Sequence, residues 1–481
     1  MLEQLKRLQS GIEGLDALLK GGLIAGSSYI VQGRPGSGKT ILANQIAFNH
    51  VRNGGRVLVA TLLSESHERL FQFLSTLRFF DPSRVGNEIQ FVSAFDTLEN
   101  EGLDEVVKLL RREISRQKAT VLIVDGLLNA RSKADNQIDT KKFISELQGH
   151  AAFAGCTVLF LTSSRLDDGS PEHTMVDGVI EMGEELHGTR SVRRIQLRKT
   201  RGSGALSGLH ECEITDDGLV VHPRLESLYS RPSQQDSADL TRIPSGIDSL
   251  DTLVEGGLPA SSVTLVMGPS GIGKTSLGLS FLAKATPAEP ALLFGFYETP
   301  QRLRLKARSM GIDLQALEDS GTAHIVWQPT TEGLLDGLGA RLLKAVEKHG
   351  SKRVLIDSLG GMARVASSPA RLNEFFSALM SELRGRGVTV FATWEMRDLF
   401  GSEILSPAPE LSSIVDNLLL MRFVEMNSEL KRVLSILKMR DSFYDPALFE
   451  VVISQNGIAL NKAFKHATAV LSGTATPAPD A

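Results

Sequence analysis

Two eight-residue stretches of this 481-residue chain have the residue types and spacing to hold a nucleoside triphosphate. They read GRPGSGKT at 33–40 and GPSGIGKT at 268–275, a separation of 235 residues. Both fit GxxxxGK[ST]: glycines let backbone N–H groups close around phosphate oxygens, the lysine reaches the β- and γ-phosphates, and the final hydroxyl ligates Mg²⁺. The phosphate-binding candidates are Gly36, Ser37, Gly38, Lys39 and Thr40 in the first loop, and Gly271, Ile272, Gly273, Lys274 and Thr275 in the second. Each loop follows an apolar run (29–31 and 263–267) and precedes a helix-like stretch, the context the motif requires.

Acids stand where such loops need them. The apolar run VLIVD ends at Asp125 and VLID ends at Asp357. A carboxylate at the carboxyl end of a buried strand is placed to hold Mg²⁺ or its water, so the metal set is Thr40 with Asp125 and Thr275 with Asp357. The plainer alternative is an aspartate that caps the following helix. A second acid follows the next strand in each half, Glu65 in LLSESHERL and Glu298 in FYETPQRL. These are the catalytic candidates, able to orient or deprotonate an attacking water. Their alternative role is that of early helix residues favoured by the helix dipole.

The elements that position these groups recur twice. RLQSGIEGLDALLKGGL at 7–23 realigns with RIPSGIDSLDTLVEGGL at 242–258 at the same offset of 235, so each copy is a whole domain. Strand-like runs at 29–31, 56–62, 89–92, 121–124 and 158–161 alternate with helical stretches, and 263–267, 291–296, 324–326, 353–356 and 388–392 repeat them. The class is α/β: two tandem domains, each a mostly parallel twisted sheet with helices on both faces. Ligands of such sheets bind beyond the carboxyl ends of the strands. The boundaries read as residues 1–222 and 242–466, joined by a polar linker at 223–241 and followed by a disordered tail at 467–481.

Charge is balanced, with 26 Lys/Arg against 28 Asp/Glu up to His222 and the same counts after it. That argues against a nucleic-acid partner. One dense basic cluster occurs (Arg190, Arg193, Arg194, Arg198, Lys199, Arg201), without interleaved aromatic residues for base stacking. Two cysteines, Cys156 and Cys212, form no disulfide framework or zinc-ligand pattern. With no secretory leader and no membrane-length apolar run, the expectation is a cytoplasmic protein that does not contact a membrane.

These motifs resemble the tandem-domain KaiC-like ATPases of the RecA superfamily over nearly the whole chain. The most specific part is IVDNLLLMRFVEMNSELKRVLSILKMRDSFYDPALFEVVIS at 414–454. The resemblance implies two RecA-like domains, ATP and Mg²⁺ as ligands, and self-association into a ring, expected to be a homohexamer. It implies that Lys199 and Arg201 in LRKTRGS, and Lys438 and Arg440 in LKMRDS, contact the nucleotide of a neighbouring subunit. Alternate residues on a strand point the same way, as that role needs. It also implies an autokinase acting on an adjacent hydroxyl pair, which counting back from Asp416 places at Ser412 and Ser413; the first copy has His173 and Thr174 there. One departure concerns the paired glutamates that end the family's second strand: here Ser64 and Tyr297 take the first position. A tyrosine, with an ordinary pKa near ~10, is a poor base at neutral pH. The leading expectation is therefore a Mg²⁺-dependent regulatory ATPase whose state is read by an unidentified protein partner. A RecA-like DNA-dependent ATPase and a catalytically weak ATP-dependent signalling scaffold are the alternatives.

Overall fold

The computed structural model describes residues 5–64, 66–127, 137–163, 171–234, 241–329, 333–396, 411–426 and 429–462, with the short segments 467–468 and 476–477. The chain divides into two compact units, Met1–Leu228 and Tyr229–Ala481. The first is built on β1 (Ser28–Gln32), β2 (Val57–Thr61), β3 (Ile89–Ser93), β4 (Val121–Asp125), β5 (Thr157–Thr162), β6 (Gly178–His187), β7 (Arg190–Thr200), β8 (Leu209–Thr215) and β9 (Gly218–His222). The second uses β10 (Val263–Gly268), β11 (Ala291–Gly295), β12 (Ala323–Trp327), β13 (Arg353–Asp357), β14 (Thr389–Glu395), β15 (Asn417–Met426), β16 (Glu429–Met439), β17 (Phe449–Ser454) and β18 (Gly457–Asn461).

The sheet orders are β3-β2-β4-β5-β1-β6-β7-β8-β9 and β12-β11-β13-β14-β10-β15-β16-β17-β18, the same topology twice. Six strands of each sheet are parallel and the last three continue it as antiparallel hairpins. The parallel part is the α/β alternation expected from the sequence. The antiparallel extension lies outside that expectation, and it carries both Lys-x-Arg pairs near the ends of β7 and β16.

Side-chain alternation along each strand builds two cores in the first unit. Val31, Val59, Ile123 and Leu161 join Leu42 and Ile46 of α1 (Lys39–Arg52). Their strand neighbours Ile30, Leu58, Leu122 and Phe160 face the other way, onto Leu110 of α2 (Leu103–Gln117) and Leu147 of α3 (Gln137–Phe153). A sheet covered on both faces needs apolar residues at consecutive positions, which is why these strands read as unbroken apolar runs. Each fully buried side chain of this kind contributes about 1.5–3 kcal/mol. In the second unit, α4 (Lys274–Leu282) packs Leu277, Leu279 and Phe281 against Val266, Leu355 and Phe391.

The repeated lead-in segment has a structural task. The Ser10 amide donates to Asp16 Oδ1 at 2.8 Å, and the Ser245 amide donates to Asp251 Oδ1 at 2.8 Å. Gly22 (φ 110°) and Gly257 (φ 136°) lie where a Cβ would meet Leu8 O at 2.3 Å and Ile243 O at 2.5 Å. Only glycine accepts both that conformation and that approach.

Parts of residues 223–241 are fastened to their own unit. Leu225–Leu228 forms a helical turn with Leu225 buried. Ser233 donates its amide (2.8 Å) and its hydroxyl (2.6 Å) to the buried Glu382 carboxylate on α5 (Leu372–Gly385), which also accepts from Arg386 at 2.7 Å. Residues 235–240 lie outside the described residues. In the expected tail, Ala467–Thr468 pairs antiparallel with Thr476–Pro477, and the rest of 467–481 lies outside the described residues. Cys156 and Cys212 are unpaired and buried, and burial pushes both thiols up to about 12. No described helix is long and apolar enough to cross a membrane.

Candidate functional site

Both phosphate loops connect a central, fully buried strand, β1 or β10, to the amino end of the following helix, α1 or α4. Gly38 (φ 98°) and Gly273 (φ 111°) cap those helices in the left-handed region, which turns the chain sharply before Lys39 and Lys274. The first helical N–H groups thus face the loop without intrahelical acceptors, a ready anion site.

The lysines lie over their loops. Lys39 Nζ donates to Gly33 O at 2.8 Å and Arg34 O at 2.9 Å, and Lys274 Nζ to Gly268 O at 2.8 Å and Pro269 O at 2.7 Å. Each therefore commits two of an ammonium's three donors to the loop backbone. Burial holds both ammonium groups below the ordinary lysine value; Asp125 opposes this at Lys39, and Glu395 then Asp357 oppose it at Lys274. A bound phosphate would add negative charge and reverse the effect of burial.

The strand-end acids meet the loop threonines. Thr40 Oγ1 donates to Asp125 Oδ2 at 3.4 Å, and Thr275 Oγ1 to Asp357 Oδ2 at 3.0 Å. Asp357 Oδ1 also accepts from Thr393 Oγ1 at 2.6 Å. Four residues predicted from four separate stretches of sequence are thus in contact as two pairs. Near the first loop, Ser37 Oγ and Thr162 Oγ1 are buried without a hydrogen-bond partner among the described residues. Ile272 takes the place of Ser37 in the second loop and is buried.

The catalytic acids are less simply placed. Glu65 lies outside the described residues. Glu298 precedes the helix Pro300–Arg308, with Thr299 between them at the N-cap position, and pairs with Lys306 of that helix. It is therefore not one of the helix's own early residues. The Tyr297 ring is half exposed with the Arg364 guanidinium 5.7 Å from its centroid, and burial raises its phenol above the ordinary value.

The basic pairs bind their own chain. Lys199 Nζ donates to the carbonyls of His173 (2.7 Å), Thr174 (3.2 Å) and Val176 (2.6 Å), and Arg201 to Thr174 O at 3.1 Å. Lys438 Nζ donates to Ser412 O and Val415 O, each at 2.7 Å, and Arg440 to Ser413 O at 3.1 Å. In both copies the pair caps the carboxyl end of a short helix, Pro171–Met175 or Leu411–Ile414. The side chains of Ser412 and Ser413 are exposed on that second turn. In the basic cluster, Arg193 pairs with Glu184 (3.4 Å), Arg194 with Glu185 (3.2 Å) and Arg198 with Glu181, all across β6–β7. Three of the six cations of the cluster are thus paired with glutamates across the hairpin.

Sequence reading passed over Glu395 and Thr393. Both end or nearly end an apolar run beside a phosphate loop, the same signal that marked Asp125 and Asp357.

Two mostly parallel sheets of identical topology, each with a phosphate loop opposite a strand-end aspartate, define a tandem RecA-like ATPase. The chain belongs to the KaiC ATPase family, whose model matches residues 8–226 and 243–464. It is similar to the circadian clock oscillator protein KaiC of a Picosynechococcus species, 26% identical over 491 aligned positions that cover 99% of this chain and 93% of that protein. The same-named proteins of Acaryochloris marina and Parathermosynechococcus lividus are each 27% identical, covering 92% and 89% of those proteins.

Proposed function

We propose that this chain is a Mg²⁺-dependent regulatory ATPase with a nucleotide site at each phosphate loop. The observation that carries the reading is the twice-repeated contact of loop threonine with strand-end aspartate, Thr40 with Asp125 and Thr275 with Asp357, beside a buried lysine. The residues fit a Mg²⁺ ion. An oxygen-only set of one hydroxyl and one carboxylate, with triphosphate oxygens and water completing it, suits a hard octahedral cation. Thr40 with Asp125, and Thr275 with Asp357, would hold it, and the unpartnered Ser37 and Thr162 hydroxyls leave further hydrogen-bonding capacity at the first loop. The bound ion would neutralise charge on the phosphates.

Glu65 and Glu298 are the acids assigned to water activation, and at the second site Glu298 must part from Lys306 to act. Lys199, Arg201, Lys438 and Arg440 are assigned to the nucleotide of an adjacent subunit in a homohexameric ring. Lys438 keeps one donor beyond its two carbonyls, whereas Lys199 has all three engaged. Ser412 and Ser413 are the assigned phosphate acceptors; a phosphate there would lie close to Lys438 and Arg440, a charge arrangement that favours it. A protein partner reading ring or phosphorylation state completes the proposal. The acid–base departures, Ser64 and Tyr297, favour slow turnover.

The test is phosphate release by the full chain, with light-scattering mass and intact mass on the same samples. Mg·ATP turnover is expected to fall in Lys39→Ala, to fall in Lys274→Ala, and to vanish in the double variant or with a chelator. Mg·ATP should raise the mass to that of six chains, and about 80 Da should appear on a peptide containing Ser412 and Ser413. Turnover that survives the double variant contradicts the ATPase assignment; an unchanged intact mass removes the autokinase part alone.

A further inference from the structure

The second site contains a carboxylate that none of the roles above uses. Glu395 closes β14, whose other six residues are buried, and it is exposed. The parallel register of β10 with β14 pairs Glu395 with Gly268, the first residue of the second phosphate loop. The next amide, Met396 N–H, donates to Gly268 O at 3.0 Å, the oxygen that also accepts from Lys274 Nζ. The backbone at Glu395 is therefore held beside the first residue of the loop.

Other acids at this site are occupied. Asp357 accepts from Thr275 and Thr393, and Glu298 pairs with Lys306. The Glu395 side chain has no hydrogen bond or ion pair among the described residues, and it stands exposed beside the first residue of the loop. At the first site the corresponding position after β5 is Ser163, where the register pairs Gln32 with Thr162.

We propose that Glu395 is a catalytic residue of the second site, resting on the reading of that loop as an ATPase site. At the second site its carboxylate, in place of Glu298 held by Lys306, orients the attacking water and takes its proton. The water oxygen bonds to the γ-phosphorus as the bond from that phosphorus to the β–γ bridging oxygen breaks, and ADP and phosphate leave. From its exposed position Glu395 returns the proton to solvent. The first site, with Ser163, lacks this group, so the two sites handle water differently.

The experiment measures phosphate release in the Lys39→Ala background, which isolates the second site. Glu395→Gln keeps the shape and removes the base, and it is expected to lower turnover about 100-fold. The Kd for Mg·ATP, from a fluorescent-nucleotide titration, is expected to shift by less than about threefold, the pattern of an interaction made in the transition state. Glu395→Asp should recover part of the turnover, and Glu298→Gln should lose less than Glu395→Gln. Turnover of Glu395→Gln within about threefold of its parent overturns the proposal, as does a larger loss in Glu298→Gln. If Lys39→Ala releases no more phosphate than the double loop variant, the second site does not hydrolyse and the proposal falls. Turnover in Lys274→Ala would then leave the ATPase reading of the first loop standing.

Discussion

At the second loop a single aspartate has both carboxylate oxygens engaged. Asp357 accepts from Thr275 through Oδ2 and from Thr393 through Oδ1, so its orientation is set by two strands and one helix. Such positioning is what a metal-holding carboxylate requires. Asp357→Asn keeps the hydrogen-bonding shape and loses the charge. The Mg²⁺ concentration for half-maximal phosphate release is expected to rise about tenfold or more, with thermal stability little changed. An unaltered Mg²⁺ dependence would remove Asp357 from the metal set. At this scale much was legible. Lys39, Thr40, Asp125 and their second-copy counterparts are each flagged by a motif whose geometry is local. Glu395 carries the same strand-end signal, but its relation to Gly268 depends on a register between segments more than 120 residues apart.

Elements explain what the sequence left ambiguous about the basic pairs. Spacing showed that Lys438 and Arg440 share one face of a strand, but it could not show which groups that face meets. The short helix Leu411–Ile414 ends against them, and its carbonyls take the donors. Burial, then Arg440, holds the Lys438 ammonium below its ordinary value, so these carbonyls stabilise a charge its surroundings disfavour. Cations at a helix carboxyl end contribute up to about 1 kcal/mol, so Lys438→Ala should speed amide exchange in a peptide spanning 411–416 about fivefold. Unchanged exchange there would show that the cap carries no weight. The polar composition of residues 223–241 likewise predicted a connector but not the seat of Ser233 on Glu382, because one buried carboxylate on a distant helix decides it.

Over the whole molecule, duplication has preserved the framework and altered the chemistry. Sheet order, lead-in segment, phosphate loop and strand-end aspartate recur in both units. Ser37 against Ile272, Ser64 against Tyr297, Ser163 against Glu395, and His173–Thr174 against Ser412–Ser413 do not. The mostly parallel α/β class was readable because strands buried on both faces leave unbroken apolar runs. The antiparallel strands β7–β9 and β16–β18 carry mixed burial patterns and left no comparable trace. Two conserved frameworks imply two separate nucleotide sites in one chain, and stoichiometry tests that most directly. Equilibrium binding of a non-hydrolysable ATP analogue with Mg²⁺ should saturate at about two nucleotides per chain, and at about one in either Lys39→Ala or Lys274→Ala. Saturation of the unmodified chain at one nucleotide or none, or loss of both sites when a single loop lysine is changed, would contradict the account.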